Sequence, residues 1–260
     1  MQPACRLDAA VAAQSGLSRS QARGLIMAGR VHVNGIPSTK PGANVRPDAI
    51  VHVIRPKPYV SRGGEKLEHA LESFEINPSA AEALDVGAST GGFTDCLLSL
   101  GTRHVTAVDV GYGQIAWTLR NDARVTVIER CNFRTVDSDA FPRGFDLIVI
   151  DTSFISVLTI LARARGFLRA DGAIVALVKP QFEAGRERLG GGGVVRDPGV
   201  HRAVLREIRD GACALELVPT KLVASPLLGP AGNREFLLLL TARGCALSDA
   251  SIDAAVGALS

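Results

Sequence analysis

Ten residues constrain this chain more than any others: Leu84-Asp85-Val86-Gly87-Ala88-Ser89-Thr90-Gly91-Gly92-Phe93. Ala83 to Val86 is a short apolar run that stops at a glycine turn, and Phe93, Leu97 and Leu100 then recur at helical spacing. The pattern predicts a buried strand, a tight turn and a helix, a βα unit whose loop faces a ligand. Gly87, Gly91 and Gly92 remove Cβ atoms where backbone must approach something closely, and the helix beyond them aims free N–H groups at the same place. The loop is not the dinucleotide pattern G-x-G-x-x-G, and it lacks the G-K-[ST] ending of a P-loop. It suits a smaller, less anionic ligand, with Asp85, Gly87, Ser89, Thr90, Gly91, Gly92 and Phe93 as candidate contacts.

A second apolar run, His104 to Val108, ends in Asp109. A carboxylate at the carboxyl end of a strand can accept hydrogen bonds from both hydroxyls of a ribose, as in nucleotide-binding doubly wound folds; its plainer role is to cap a turn. The combination D-x-G-x-x-x-G-G-F followed by V-D resembles the S-adenosyl-L-methionine site of class I methyltransferases. Gly111 to Gln114 reads as a turn that covers this ligand, and Trp117 as a core residue of the next helix rather than an adenine platform. After a third strand, Val125 to Ile128, Asn132 either reads an adenine amino group or caps a turn.

Charge is unevenly spread. Residues 1–58 carry a net +6 and the remainder −3, so a small basic module precedes a mildly acidic, enzyme-sized one, as expected of a polyanion-binding appendage. Leu7 to Gln14 predicts a helix, Ser18 caps a second one that stops at Gly29, and Val31 to Ile36 and Ile50 to Ile54 are strands, the first entering an Asn34-Gly35 hairpin turn. The words R-L-D, S-R-S-Q-A, I-x-A-G-x-V-x-V-N-G and K-P-G resemble the RNA-binding domain named after ribosomal small-subunit protein four. In that family the second helix and the following turn lie on RNA, which implies Arg19, Arg23, Arg30, Asn34 and Lys40 as contacts, with Arg6, and Arg62 beyond the linker. Arg23 and Arg30 as simply solvated helix residues is the plainer alternative.

Arg55-Pro56-Lys57-Pro58-Tyr59 is stiffened by two prolines and reads as an extended connection, which puts an RNA-binding domain at 1–58, with its linker from about 55, and a second domain at 59–260. In that second domain Leu67, Ala70, Leu71 and Phe74 form an apolar helical stripe, with Lys66 away from it or at its margin. Phe145 to Ile150 is a strand that delivers Asp151 to the ligand-binding sheet edge, and Ala173 to Val178 delivers Lys179 to the same edge. The word after Asp151 is neither the N/D-P-P-Y/F typical of methyltransferases for exocyclic amines nor the Pro-Cys of those for pyrimidine carbon. Gly190 to Gly193 cannot hold regular structure and reads as a loop over the site or a plain surface linker. A helix near Val200 to Asp210, a strand around Leu215 to Val218, a turn-rich segment ending at Glu235, a strand Phe236 to Leu240 and a helix from Ser248 complete the chain.

Lys66, Asp151, Lys179 and Glu235 thus converge at the mouth of the Asp85 site, and their order resembles the K-D-K-E tetrad of FtsJ-like ribose 2′-O-methyltransferases. V-S-R-G-G-x-K-L, D-V-G-A-S-T-G-G-F-T, A-V-D-V-G-Y-G-Q, D-x-S-F-I-S, V-K-P-Q-F-E and S-P-x-x-G-P-x-G-N-x-E-F extend the resemblance over the whole chain, to the TlyA family. It implies an α/β class I methyltransferase with a Rossmann-like, mostly parallel seven-stranded sheet behind a small α+β RNA-binding domain. The implied reaction is 2′-O-methylation of cytidine in ribosomal RNA, with S-adenosyl-L-methionine as cofactor and ribosomal RNA or ribosomal subunits as partner. In chemical terms Lys179 is the residue to steer or accept the hydroxyl proton. A neighbouring Lys66 and partial burial favour its neutral form, while Asp151 and Glu235 oppose that shift and fix the amines in place. The five scattered cysteines indicate neither a disulfide framework nor a zinc site, and no metal is required. The haemolysin label of the family is the competing reading. The sequence offers it neither a spanning segment nor a cationic amphipathic helix with a wide apolar face, and the chain is expected in the cytoplasm, away from membranes. A non-catalytic RNA-binding protein on the same fold is the third.

Overall fold

The computed structural model describes residues 5–53 and 59–258, and the chain divides into two compact units, Met1–Lys57 and Pro58–Ser260. In the first, β1 (Cys5–Arg6) leads into α1 (Leu7–Ser15), followed by α2 (Arg19–Met27), β2 (Val31–Val33), β3 (Ile36–Pro37), β4 (Asn44–Val45) and β5 (Val51–Val53). Ser18 and Gln21 form a reciprocal capping box: the Ser18 hydroxyl accepts from the Gln21 N–H, and the Gln21 side chain accepts from the Ser18 N–H. Asn34 and Gly35 both have positive φ (51° and 81°), the combination a two-residue hairpin turn requires. Leu7, Val11, Ala22, Ile26, Val31 and Val45 form the small core. Ile54 and the proline-rich part of the expected linker lie outside the described residues. Tyr59, expected at the end of that linker, is instead buried in the second unit, with its ring so close to Gly64 that a Cβ there would sit 2.2 Å from it.

The second unit runs α3 (Gly63–Phe74), β6 (Glu82–Val86), α4 (Gly92–Ser99), β7 (His104–Val108), α5 (Trp117–Arg120), β8 (Val125–Ile128), β9 (Phe145–Ile150), α6 (Val157–Ala164), β10 (Leu168–Val178), α7 (Pro180–Glu183), α8 (Pro198–Ala214), β11 (Val218–Ala224), β12 (Phe236–Thr241) and α9 (Asp249–Gly257). The strands make one seven-stranded sheet in the order β11-β12-β10-β9-β6-β7-β8, parallel except for β12, which runs against both neighbours. Strand order reverses between β6 and β9, and crevices at such a reversal are where open α/β sheets bind ligands. Successive strand residues feed opposite faces: Leu84, Ile148, Ile174 and Leu238 pack under α6, α8 and α9, while Ala83, Leu147, Val175 and Leu237 pack under α3 and α4.

Three local expectations fail for identifiable reasons. The last-but-one strand begins at Val218 rather than Leu215, because Leu215, Glu216 and Leu217 bond back to carbonyls of α8 and Glu216 turns through a left-handed conformation (φ 57°). Pro219 is tolerated because β11 is an edge strand with a register shift between Pro219 and Lys221. Trp117 is 76% exposed, not core: α5 has four residues, and it is Leu119 that turns inward, against Gly91. Gly190 to Gly193 is not wholly irregular; it forms a short 3-10 turn closed by the Gly193 N–H on the Gly190 carbonyl.

One polar group lies inside the second unit with half its capacity unused. Asp85, on β6, is fully buried; its Oδ2 accepts from the Thr94 hydroxyl of α4 at 2.7 Å, and its Oδ1 has no partner among the described residues. Burial pushes its pKa up to about 7, against the Thr94 hydrogen bond, with the nearby Asp151 carboxylate adding to the rise. A folded-state pKa above the unfolded value means that the neutral form contributes stability below roughly pH 4, and that this contribution is lost as pH rises through about 7. Asp85→Asn, which stays neutral, is therefore expected to match the parent in acid and to exceed its melting temperature increasingly from about pH 4 to 8. Ligand-free thermal unfolding across pH measures this, and a pH-independent difference between the two proteins would contradict it.

Candidate active site

Two adjoining clefts open at the carboxyl edge of the sheet. The first, about 570 Å³, is lined among others by Ser61, Arg62, Lys66, Phe93, Lys179 and Glu235. The second, about 400 Å³, is lined among others by Val108, Asp109, Gln114, Asn132, Phe133 and Ile155. Gly87, Ser89, Asp151, Ser153 and Phe154 belong to both, so the loops after β6 and β9 form a shared wall.

The first cleft holds the four charged residues, sorted into two ion pairs. Lys66 is buried on α3 (6% exposed) beside the apolar stripe, at its margin rather than away from it, and pairs there with Glu235 (2% exposed). Glu235 can reach it because β12 is antiparallel, so the residue before that strand lies at the same edge as residues that follow the parallel ones. Gly229 leaves room for the pair, since a Cβ at that position would stand 2.5 Å from the Glu235 carboxylate. Lys179 caps α7; its Nζ is 2.6 Å from Asp151 Oδ1 and donates to the Ser153 hydroxyl at 2.8 Å. Each lysine therefore faces a carboxylate first, rather than the other lysine. Ser153 escaped the sequence reading although it stands inside D-x-S-F-I-S, as did Phe154, which is 89% exposed, has φ 64° and lies against Phe182 with 4.8 Å between ring centroids. A bulky residue held at positive φ costs free energy and marks this loop as shaped for use.

The glycines of the β6–α4 turn serve protein contacts as much as any ligand. A Cβ on Gly87 would lie 2.6 Å from the Asp151 carbonyl, one on Gly91 2.3 Å from Leu119, and one on Gly92 2.1 Å from the Ser61 hydroxyl. Gly87 and Gly91 also have φ of 85° and 95°. Gly87, Ser89, Thr90, Gly92 and Phe93 line the first cleft; Gly91 and Asp85 lie behind it, the one packed on α5 and the other bound to α4. Asp109 both caps a turn and lines the second cleft: its Oδ2 accepts from the Ser89 N–H at 2.8 Å and its Oδ1 from the Gly111 N–H at 2.6 Å. Asn132 also does both, its side-chain oxygen accepting from the Arg134 N–H at 3.2 Å while it lines the same cleft. Each carboxylate oxygen retains a second lone pair, so Asp109 can still accept from a ribose diol between walls of Val108, Val110, Phe133 and Ile155 that suit a flat base. The donor set fits an adenosine-bearing cofactor.

In the first unit, Arg6 and Arg19 converge on the buried Asp8, at 2.9 Å and 3.1 Å. The Arg6 hydrogen bond foremost, then Arg19, holds the Asp8 carboxyl well below the usual range despite its burial. Both guanidinium groups keep substantial exposure, and a shallow cleft joins them to Arg23. Arg23, Arg30 and Lys40 have no ion-pair partner among the described residues and are exposed. The Asn34 side-chain oxygen accepts from the Ile50 N–H at 2.8 Å, which ties the hairpin tip to the chain leading into β5. Arg62 lies in the other unit, on the wall of the first cleft.

Comparison with known proteins agrees with both units. Residues 5–51 match the S4 domain and residues 59–242 the FtsJ-like methyltransferase family. The 16S/23S rRNA (cytidine-2'-O)-methyltransferase TlyA of Mycobacterium tuberculosis is 45% identical over 96% of this chain and 95% of its own. Hemolysin A of Brachyspira hyodysenteriae is 39% identical over 85% of this chain and 92% of its own, so the haemolysin label is carried by relatives of the same kind. A solved structure from Streptococcus thermophilus, also described as a hemolysin, superposes with a TM-score of 0.76 at 39% identity, over 99% of this chain and 96% of that one. With one domain match covering most of the chain and close relatives matching nearly all of it, the chain belongs to the FtsJ-like methyltransferases and, within them, to the TlyA family.

Proposed function

We propose that this protein methylates the ribose 2′-hydroxyl of a cytidine in ribosomal RNA, with S-adenosyl-L-methionine as methyl donor. The observation that carries the reading is the convergence of Lys66, Asp151, Lys179 and Glu235 on a cleft that shares a wall with the Asp109 cleft. The donor, when bound, supplies an electrophilic methyl group on a sulfonium and departs as a neutral thioether. Asp109 and Asn132 would hold its adenosine, and the loop from Gly87 to Phe93 its remaining part. A ribose hydroxyl is a poor nucleophile and must lose its proton as its oxygen attacks in line, so the protein's task is alignment and proton handling. Lys179 Nζ, steadied by Asp151 and Ser153, steers that proton and, in its neutral form, accepts it. The buried Lys66–Glu235 pair lines the same cleft. Arg6, Arg19, Arg23, Arg30, Asn34 and Lys40 supply contacts to RNA phosphates and sugars, and Arg62 contacts RNA beside the reacting ribose.

The haemolysin reading has no comparable support: among the described residues, no helix is long and apolar enough to cross a membrane. A substrate in ribosomal RNA would place the protein's work in the cytoplasm.

Four outcomes follow from this reading. Lys179→Ala is expected to keep donor and RNA affinity but lose turnover by about 10²–10⁴, the usual worth of a positioned acid or base. Glu235→Ala is expected to lose turnover and also about 3–5 kcal/mol of stability, because it strands a buried ammonium, so denaturant titration should separate the two variants. RNA carrying a 2′-deoxy sugar at the target position should take up no methyl group in a tritium-transfer assay; continued methylation would make the base the acceptor and end this reading. For the first unit, Arg23→Ala should lower the slope of log affinity against log salt by roughly 0.7–0.9, as read from RNA-binding titrations at several salt concentrations, and an unchanged slope would remove Arg23 from the phosphate contacts.

A further inference from the structure

The short helix α7 and the loop after β9 carry the two halves of one ion pair, and they meet at three successive places. Lys179, which caps the helix, reaches Asp151 and Ser153. Phe182 lies on Phe154. Glu183 ends the helix, where its Oε1 accepts from the Val157 N–H at 2.8 Å. The contacts keep the same order along both segments, so the helix cannot slide along the loop without breaking all three.

The last of these contacts matters most because of what the loop lacks. Among the described residues, none of the backbone N–H groups from Thr152 to Ser156 donates to the protein, and Phe154 is held at positive φ while almost fully exposed. Such a segment has little of its own to keep it in one conformation. Val157, by contrast, opens α6, whose Val157, Ile160, Leu161 and Ala164 are buried in the core. Glu183 therefore ties the catalytic helix to the first firmly packed residue beyond the loop. Burial pushes the Glu183 carboxyl up, against the Val157 N–H hydrogen bond that favours its charged form, so a desolvated carboxylate is held at this tie.

We infer that Glu183 is a positioning residue for methyl transfer: by gripping Val157 it holds the loop so that Asp151 and Ser153 meet the Lys179 amine. This rests on the reading of Lys179 as the group that handles the proton. Misplacing a reacting group by about 1 Å can cost about 10²-fold in rate. Glu183→Ala is accordingly expected to lower the single-turnover rate on ribosomal subunits by about 10–100-fold, with donor affinity unchanged by calorimetry. Glu183→Gln keeps an oxygen for the Val157 N–H and should recover most of that loss, which a requirement for the charge alone would not allow.

The discriminating measurement is a double-mutant cycle with Lys179→Ala. If Glu183 acts through Lys179, Glu183→Ala slows the wild type but adds nothing in the Lys179→Ala background. Equal losses in both backgrounds, or a Glu183→Ala rate within about twofold of wild type, overturn the inference while leaving the role of Lys179 intact. A wild-type rate in Lys179→Ala itself overturns the reading of Lys179, and this inference with it.

Discussion

The ion pair between Lys66 and Glu235 joins the first helix of the larger unit to its last strand, inside the protein. Two charges taken out of water are tolerated only when they meet, and removing either leaves the other stranded at several kcal/mol. The pair can form only if β12 enters the sheet antiparallel, which brings the chain end to the edge where the parallel strands deliver their own polar residues. One strand direction thus decides whether residues 169 positions apart share a cleft. Gly229 belongs to the same constraint, because a side chain there would occupy the space of the carboxylate.

Around that pair, the clefts are built from loops that do two things at once. Asp109 holds its own turn through the N–H groups of Ser89 and Gly111 and still faces the cavity. Gly87 admits the Asp151 carbonyl and so presses the loop after β6 against the loop after β9, which makes a common wall for the two clefts. Alignment of two reactants depends on how rigidly that wall is held, and alignment is most of what a methyl transfer to a hydroxyl asks of a protein. Three non-glycine residues near the clefts, Ser89, Arg130 and Phe154, take positive φ, a cost the surrounding structure bears. In the smaller unit Asp8 has a similar double role, buried for the fold and aiming Arg6 and Arg19 outward.

Much of this was legible in the residues alone. The period of the apolar runs locates the sheet strands, the α3 face and, through Phe93 and Leu97 but not the exposed Leu100 past the helix end, the α4 face, since alternation and helical spacing are local consequences of backbone geometry. Ser18 and the pair Asn34 and Gly35 specify a cap and a turn because only nearby atoms are involved. The placement of Asp151 and Lys179 at the ends of apolar strands, and of Asp109 likewise, needs no more than strand direction. The tetrad, as a set, came from resemblance.

What the tertiary structure alone decided is which of these groups touch. Local sequence could not bury Lys66, because its burial depends on a carboxylate from the far end of the chain; nor could it expose Trp117, whose neighbour Leu119 takes the inward place against Gly91. It assigned the loop glycines to a ligand, whereas Gly87, Gly91 and Gly92 are each also required by a protein atom within 2.6 Å of where a Cβ would be. The grip of Glu183 on Val157 was equally invisible, as it crosses from one loop to another through space. Periodicity reports which side of an element faces inward, because that depends on the element itself. Pairing of charges and closeness of backbones depend on how separate elements are stacked, and only the folded chain sets those distances.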